Sequence, residues 1–393
     1  MQQHRSRHGD RRNQLAAIAA ELFRARGYHG VGINDIAAEA GITGPALYRH
    51  FADKQAVLSY VLLSAVRDME VETTAALATL EKPVGEQVDQ LLARVAAATV
   101  ERREIAALWR WEGRHLAPQD QREVGKRSSA ILTAWAKVLL EVRPQLDAED
   151  AELLCWAALS VFGSVSVHHT TVGKRRFVEL LTALAKRVLS ADLPLVTELP
   201  QPVRTLGVGT PSRREQVLSA ATELFRQRGF HDVSMEDIGA AAGIAGPSVY
   251  RHFPSKASLI YAIARRANDR LVFAAEEIAR SSSDEREALR RLVSSYVRVL
   301  TGPGELAVLF STDGVNLDDA ERAELLRVQR EYVARWVNLL CALQPALLQR
   351  EAKITVHAAL TIANDFVRTR RISSRRNLTA ELENLLSTVL DLG

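Results

Sequence analysis

The chain has 393 residues, a length that predicts two domain-sized units, each large enough to bury its own core. Its formal net charge of +4 at pH 7 is mild, so composition alone does not demand a nucleic-acid partner. A composition rich in Ala, Leu, Arg, Glu and Val, with 21 Gly and 12 Pro gathered at a few breaks, favours an all-α fold. No apolar run approaches the ~18 residues that a membrane span needs, so we expect no membrane partner.

The first twelve residues are rich in Arg and His, and the sequence leaves them open between a short basic arm and a disordered tail. No apolar segment follows them, so they do not resemble a secretory signal. The 2 cysteines, Cys155 and Cys341, lie in apolar helical context at non-equivalent points of the chain. Buried free thiols in a reducing compartment fit this pattern better than a disulfide or a metal site, so we expect a cytoplasmic protein.

The first sixty residues carry the signals of four helices. Apolar residues at helical spacing between positions 15 and 23 predict a first helix that stops at Gly27. A short second helix at about 34–40 and a third at about 43–51 flank Gly41, where a tight turn needs a left-handed residue. Asp53 is placed to cap a fourth helix. The rest of the chain up to residue 190 also has helical spacing of its apolar residues.

This head occurs twice. Residues 243–256 repeat residues 41–54, and the match runs back without a gap to the Arg-Arg pairs at 11–12 and 213–214, with about half of the positions identical. The repeat continues through the following helices, where the offset in numbering between equivalent residues of the two copies is one residue smaller than in the heads. A whole unit is therefore duplicated. The segment between the copies has no helical period and predicts a linker. The predicted domains are a first head at 1–56, a first body at 57–190, the linker at 191–211, a second head at 212–258 and a second body at 259–393.

Helix, short helix, glycine turn and helix is the order of a helix-turn-helix DNA-binding unit, although an ordinary helical corner has the same order. Both copies also share Leu-Phe, Asp-Ile, Ala-Gly-Ile and Tyr-Arg-His-Phe segments, with a Lys at the end, at the same spacing over about fifty residues. In these residues each copy resembles the N-terminal domain of TetR-family transcriptional regulators. The helical bodies agree with that resemblance in length and in helical character.

The resemblance implies that the third helix of each head enters the major groove of a double-stranded DNA operator. Residues on or next to that helix become candidate contacts, and Lys54 and Lys256 become candidates for phosphate. The candidates are Thr43, Gly44, Pro45, Ala46, Tyr48, Arg49, His50 and Lys54 in the first head, and Ala245, Gly246, Pro247, Ser248, Tyr250, Arg251, His252 and Lys256 in the second. The two heads differ at two of these positions, because Thr43 corresponds to Ala245 and Ala46 corresponds to Ser248. Since the hydroxyl group has a different position in each head, we expect the two half-sites to differ and the operator to be an imperfect palindrome.

The resemblance also implies dimerisation through the last two helices of each body, here at about 148–169 with 174–190, and 349–370 with 378–391. The linker is long enough to join two subunits, so the favoured hypothesis is an internal pseudo-dimer in which one chain covers a whole operator. A homodimer of chains with four heads stays open as the alternative.

Regulators of this family hold an effector in the body, so aromatic and polar residues of the body helices become pocket candidates, with plain core packing as the alternative interpretation. The segment around Gly113 loosely resembles regulators of lipid metabolism, which suggests an acyl-CoA, a fatty acid or a sterol derivative as the effector. The candidates are Trp109, Trp111, Arg114, His115, Trp156, Phe162, Phe310, Thr312, Asn316, Tyr332 and Asn364.

Catalytic and cofactor motifs are missing from the sequence: it has no Walker loop, no nucleophile elbow and no dinucleotide fingerprint. We therefore expect neither an enzyme nor a cofactor or metal site. A helical scaffold without DNA binding is the remaining alternative, and the basic residues kept on both third helices argue against it. Among regulators a repressor is favoured, because blocking a promoter needs no further partner surface.

Overall fold

A computed structural model describes residues 2–78, 83–194, 211–302, 305, 308 and 317–393. The chain divides into two compact units, Met1–Ser190 and Ala191–Gly393. Helices are the only regular secondary structure in these described ranges, which confirms the all-α prediction. None of the described helices is long and apolar enough to cross a membrane.

The helices of the first unit are α1 Gln2–Arg26, α2 Ile33–Glu39, α3 Gly44–Tyr48, α4 Lys54–Leu77, α5 Val84–Glu101, α6 Arg103–Glu112, α7 Pro118–Val142, α8 Ala148–Gly163 and α9 Lys174–Leu189. Those of the second unit are α10 Arg213–Arg228, α11 Met235–Ala241, α12 Gly246–Val249, α13 Lys256–Ser281, α14 Glu285–Thr301, α15 Asp319–Leu343, α16 Gln349–Arg368, α17 Arg370–Ser373 and α18 Leu378–Leu390. Short 3-10 turns at Gly113–His115 and Ser164–Ser166 follow α6 and α8.

Two details of the first head differ from the sequence expectation. Helix α1 begins at Gln2, so the backbone of the basic start is helical and continuous with the first helix of the head, which the sequence did not predict. Helix α3 ends at Tyr48 and not near residue 51, because the His50 N–H turns back to the Leu47 carbonyl at 2.9 Å, which tightens the last turn. The predicted left-handed turn is present, with Gly41 at a φ of 65°.

The predicted start of α4 is confirmed by a side-chain cap, and a cap also marks the start of α11. The Asp53 carboxylate accepts from the Ala56 N–H at 2.7 Å at the start of α4. Ser234 and Asp237 form a reciprocal capping box at the start of α11. In the first head Gly32 takes the place of Ser234, so α2 keeps only the bond from the Gly32 N–H to its acidic residue. The second head therefore has the more fully capped short helix.

The bodies are helical bundles, and each has a buried tryptophan in its core. In the first unit α8 packs against α7 and α9, and α9 also packs against α5. Trp135 is 3% exposed there and donates its indole N–H to the hydroxyl of Thr73 at 3.1 Å. In the second unit Trp336 is fully buried, and α16 packs against α18 and α15. The predicted final helix pairs are thus present, although α8 ends at Gly163 and not near 169.

Candidate nucleic-acid interface

Each third helix is held by one apolar residue and exposes the opposite face. Leu47 in α3 and Val249 in α12 are both fully buried in the head cores. The following tyrosines are 55% exposed at Tyr48 and 48% exposed at Tyr250. Arg49 and Arg251 come next and are exposed in the same way, as are Thr43, Pro45, Ala245 and Pro247 around the helix starts. The exposed groups form a donor-rich surface suited to phosphates and base edges.

The glycine at the start of each third helix has a packing role that the sequence reasoning missed. A Cβ on Gly44 would lie 2.6 Å from Asn34 Oδ1, and a Cβ on Gly246 would lie 3.2 Å from Glu236 Cγ. Both contacts come from the first turn of the preceding short helix. The absence of a side chain therefore lets the two short helices pack closely, whereas the sequence had suggested only close approach to DNA.

The two lysines engage the turn between the first two helices of their own head. Lys54 donates to the Tyr28 carbonyl at 2.8 Å, and its ammonium stands 4.2 Å from the centre of the Tyr28 ring. Lys256 donates to the carbonyls of Phe230 and Val233, each at 2.8 Å. The predicted phosphate contacts stay predictions, but these ammonium groups already brace the head. The spacing of residues in the sequence could not predict these hydrogen bonds, because the acceptor carbonyls lie more than twenty residues before the lysines.

Two histidines and two arginines complete the face. His50 is partly buried and its equivalent His252 is exposed, whereas Ala46 and Ser248 are both partly buried. The Arg12 guanidinium lies 4.9 Å from the centre of the Phe51 ring, and Arg214 repeats this at 4.7 Å over Phe253. These arginines brace the residue that follows the third helix. The Arg-Arg pair shared by both copies was the sequence signal for them.

His115, one of the effector candidates, lies at the joint between head and body of the first unit. Its ring stacks on Tyr28 with centroids 4.8 Å apart and meets His29 edge-on at 4.6 Å. The backbone carbonyl of His115 accepts from the Gln55 side chain at 2.9 Å. Because Lys54 covers the same Tyr28 ring, four side chains connect the turn after α6 to the DNA-binding head.

The second unit joins its head to its body with charges. Glu305 is 3% exposed and forms ion pairs with Arg266 and with Arg270, the second at 2.8 Å. Arg266 also pairs with Glu215 on α10. Glu305 thus holds two arginines of α13, and one of them, Arg266, links α13 to the first helix of the head through Glu215.

Of the effector candidates, the structure brings together Tyr332 and Asn364. The Tyr296 hydroxyl donates to Asn364 Oδ1 at 2.7 Å, and the Tyr296 ring lies 6.3 Å from that of Tyr332. Burial raises the pKa of Tyr296 to about 12 and raises the pKa of Tyr332 as well. Phe162 is buried in the core of the first body and Trp156 is partly buried on the same helix. The candidates outside the described part of the structure are Phe310, Thr312, Asn316 and the side chains of Trp109, Trp111 and Arg114.

The first body contains an apolar void of about 10 Å³ lined by Leu91, Leu92, Trp135, Leu139 and Cys155 among others. A space of that size holds about one water molecule, far below the several hundred Å³ of a typical ligand pocket. This void is therefore too small to hold a lipid-sized effector. No cluster of His, Cys, Asp and Glu suited to a metal ion occurs among the described residues.

Comparison with known proteins finds similarity in the two heads. The model of the tetR family of bacterial regulatory proteins matches residues 15–61 and 217–263. The transcriptional activator FasR of Mycolicibacterium smegmatis is 39% identical over 84 residues, which cover 21% of this chain and 38% of FasR. The transcriptional repressor KstR2 of Rhodococcus jostii is 31% identical over 133 residues, which cover 34% of this chain and 65% of KstR2. The chain thus spans less than two thirds of these relatives' own lengths.

A fatty acid metabolism regulator of Bacillus subtilis is 23% identical over 94 residues, covering 24% of this chain and 48% of that protein. Among solved structures, the ketosteroid regulator KstR2 of Mycobacterium tuberculosis aligns with 47% of this chain and 95% of its own, at 21% identity and a TM-score of 0.41. These relatives are named as transcriptional regulators, which agrees with the expectation that the chain is not an enzyme.

Proposed function

We propose that the protein is a sequence-specific DNA-binding transcriptional regulator located in the cytoplasm, because both heads match the model of the tetR family of bacterial regulatory proteins. The observation that carries the proposal is the repeated exposure of a tyrosine and an arginine at the end of a short helix that one buried residue anchors. Arg49 and Arg251 supply the charge that phosphates require, and the helix starts lie free to approach base edges.

The chain is proposed to act as an internal pseudo-dimer on an imperfect palindrome. Two heads of one operator stand about one DNA turn apart, roughly 34 Å. The linker of about 21 residues reaches up to ~70 Å at ~3.3 Å per residue, so its length permits one chain to supply both heads. Fusion replaces assembly of two subunits by a high local concentration of the second head. A dimer of chains with four heads is the competing arrangement.

Repression relieved by a lipid-like effector is the proposed mode of regulation. A relative named for fatty acid metabolism supports an acyl-CoA or a fatty acid, and the resemblance of the segment around Gly113 to regulators of lipid metabolism adds a sterol derivative to the proposal. The aromatic cluster at Tyr332 and Asn364 in the second body is the described candidate for its site. Thermal unfolding should shift with such compounds, whereas a response to small polar compounds alone would exclude this effector class.

Binding of the purified full chain to DNA fragments from upstream of its own gene tests the central proposal. Arg49→Ala and Arg251→Ala should each weaken binding and lower the slope of log affinity against log salt by about 1 if each arginine contacts a phosphate. Arg175→Ala is the matched control, because that side chain is 93% exposed on α9, far in sequence from either head.

The stoichiometry of the complex separates the two arrangements. One chain per operator supports the pseudo-dimer, and two chains on a longer footprint support the dimer of fused subunits. Binding without any sequence preference, unaffected by both head variants, would favour the scaffold interpretation over the regulator.

A further inference from the structure

The residue that contacts the start of each third helix differs in charge between the two heads. In the first head Asn34 lies on the first turn of α2, and its Oδ1 is the nearest atom to a Cβ built on Gly44. In the second head Glu236 occupies the equivalent place on α11 against Gly246. Both side chains are exposed and make no hydrogen bond or ion pair with any residue that the structure describes.

Neither side chain is needed to hold its short helix. In the second head the cap is formed by the next residue, Asp237, whose pKa lies below its ordinary value because the carboxylate accepts from the Ser234 backbone N–H and hydroxyl. In the first head Asp35 accepts from the Gly32 N–H at 2.7 Å. Asn34 and Glu236 thus present polar groups at the helix start without a structural task.

Building on the proposed function, we infer that Asn34 and Glu236 are specificity-determining residues that make the two half-sites unequal. A carboxylate only accepts hydrogen bonds, so Glu236 can pair with the amino groups of cytosine or adenine but not with guanine O6 or thymine O4. The carboxamide of Asn34 both donates and accepts, so the first head tolerates either kind of edge. The second half-site therefore requires an amino-bearing base where the first does not.

The exchange of Asn34 for Glu236 should make the base preferences of the two half-sites differ more than the exchange of Thr43 for Ala245 or of Ala46 for Ser248 does. Those exchanges move a neutral hydroxyl, whereas the exchange of Asn34 for Glu236 changes the charge beside the DNA by one. A carboxylate near phosphates also opposes the attraction on which general affinity depends. The second head should consequently bind with lower affinity and greater base discrimination.

The test is selection of binding sites from random-sequence DNA by the full chain and by the variants Glu236→Gln and Asn34→Glu. Wild type should show one half-site position at which guanine and thymine are disfavoured about tenfold. Glu236→Gln should flatten that preference and strengthen binding at low salt. Asn34→Glu should create the same preference in the other half-site.

Glu39→Gln is the matched control, because Glu39 is an exposed carboxylate at the far end of α2 and its neutralisation changes the charge equally. It should leave every base preference unchanged. If wild type selects a defined site but Glu236→Gln keeps the same base profile, the inference is wrong and the proposed function stands. If wild type selects no sequence at all, the proposed function fails and the inference with it.

Discussion

Substitution of His115 by Ala tests the joint between the first head and its body. The imidazole makes two ring contacts with the head, at 4.8 Å to Tyr28 and 4.6 Å to His29. Aromatic pairs contribute about 0.5–1.5 kcal/mol each, so the variant should lose about 1–3 kcal/mol of local stability at the turn after α1. The bond from Gln55 to the His115 carbonyl survives, because it involves only backbone at position 115.

Hydrogen exchange of the full chain measures this loss directly. Amides near Tyr28 should exchange about 5- to 150-fold faster in the variant, since 1.4 kcal/mol corresponds to tenfold in an opening equilibrium. The equivalent turn around Phe230 should be unchanged, and so should both turns in His169→Ala, which removes an exposed histidine of the same body. Unchanged exchange near Tyr28 would show that the ring stack does not hold the head, and the argument from these distances would be wrong.

Three further predictions concern single residues. Burial, with a smaller contribution from Lys353, lowers the pKa of His357 from 6.5 to about 4. Between these two pH values the imidazole is therefore protonated in the unfolded chain but not in the folded one. Urea unfolding should therefore show stability falling by up to about 3 kcal/mol from pH 6.5 to pH 4, and His357→Gln should flatten that slope. Burial raises the pKa of the Cys155 thiol to about 12, so at pH 8 iodoacetamide should label the more accessible Cys341 first and Cys155 only on unfolding, as read by mass spectrometry. Ser234→Ala removes the cap of α11 and should cost about 1 kcal/mol, seen as faster exchange in that helix, whereas equal exchange in the variant would contradict the capping role.

The frame of each head could be predicted from the sequence because its signals are local. Gly41 marks a left-handed turn, Asp53 and Ser234 mark helix starts, and each acts within three or four residues of its own position. The spacing of apolar residues likewise placed the final helix pairs of both bodies. Such features depend on backbone geometry that a short stretch of chain determines by itself.

Roles that depend on distant partners could not be predicted in this way. Lys54 has the position of a phosphate ligand in the sequence, yet its partner carbonyl belongs to Tyr28. His115 is a pocket candidate by its residue type, but it stacks on the ring of Tyr28, which lies in the head. The sequence indicates Gly44 as a candidate DNA contact, and only the structure shows that Asn34 packs against it and leaves no room for a side chain. In each case the decisive contact joins residues that no periodicity connects.

The two copies share the contacts that hold each head together. They differ at the surface proposed to bind DNA and at the joint between head and body. Both keep the arginine over the phenylalanine and the lysine on the turn carbonyls. They differ at the start of the third helix, and they differ at the head–body joint, which uses stacked rings in one unit and the buried Glu305 in the other. In a homodimer every substitution appears in both heads, so a symmetric operator is enforced by the sequence itself. Fusion removes that constraint, and one head can then gain discrimination while the other keeps general affinity, with each head attached to its body by a joint of different chemistry.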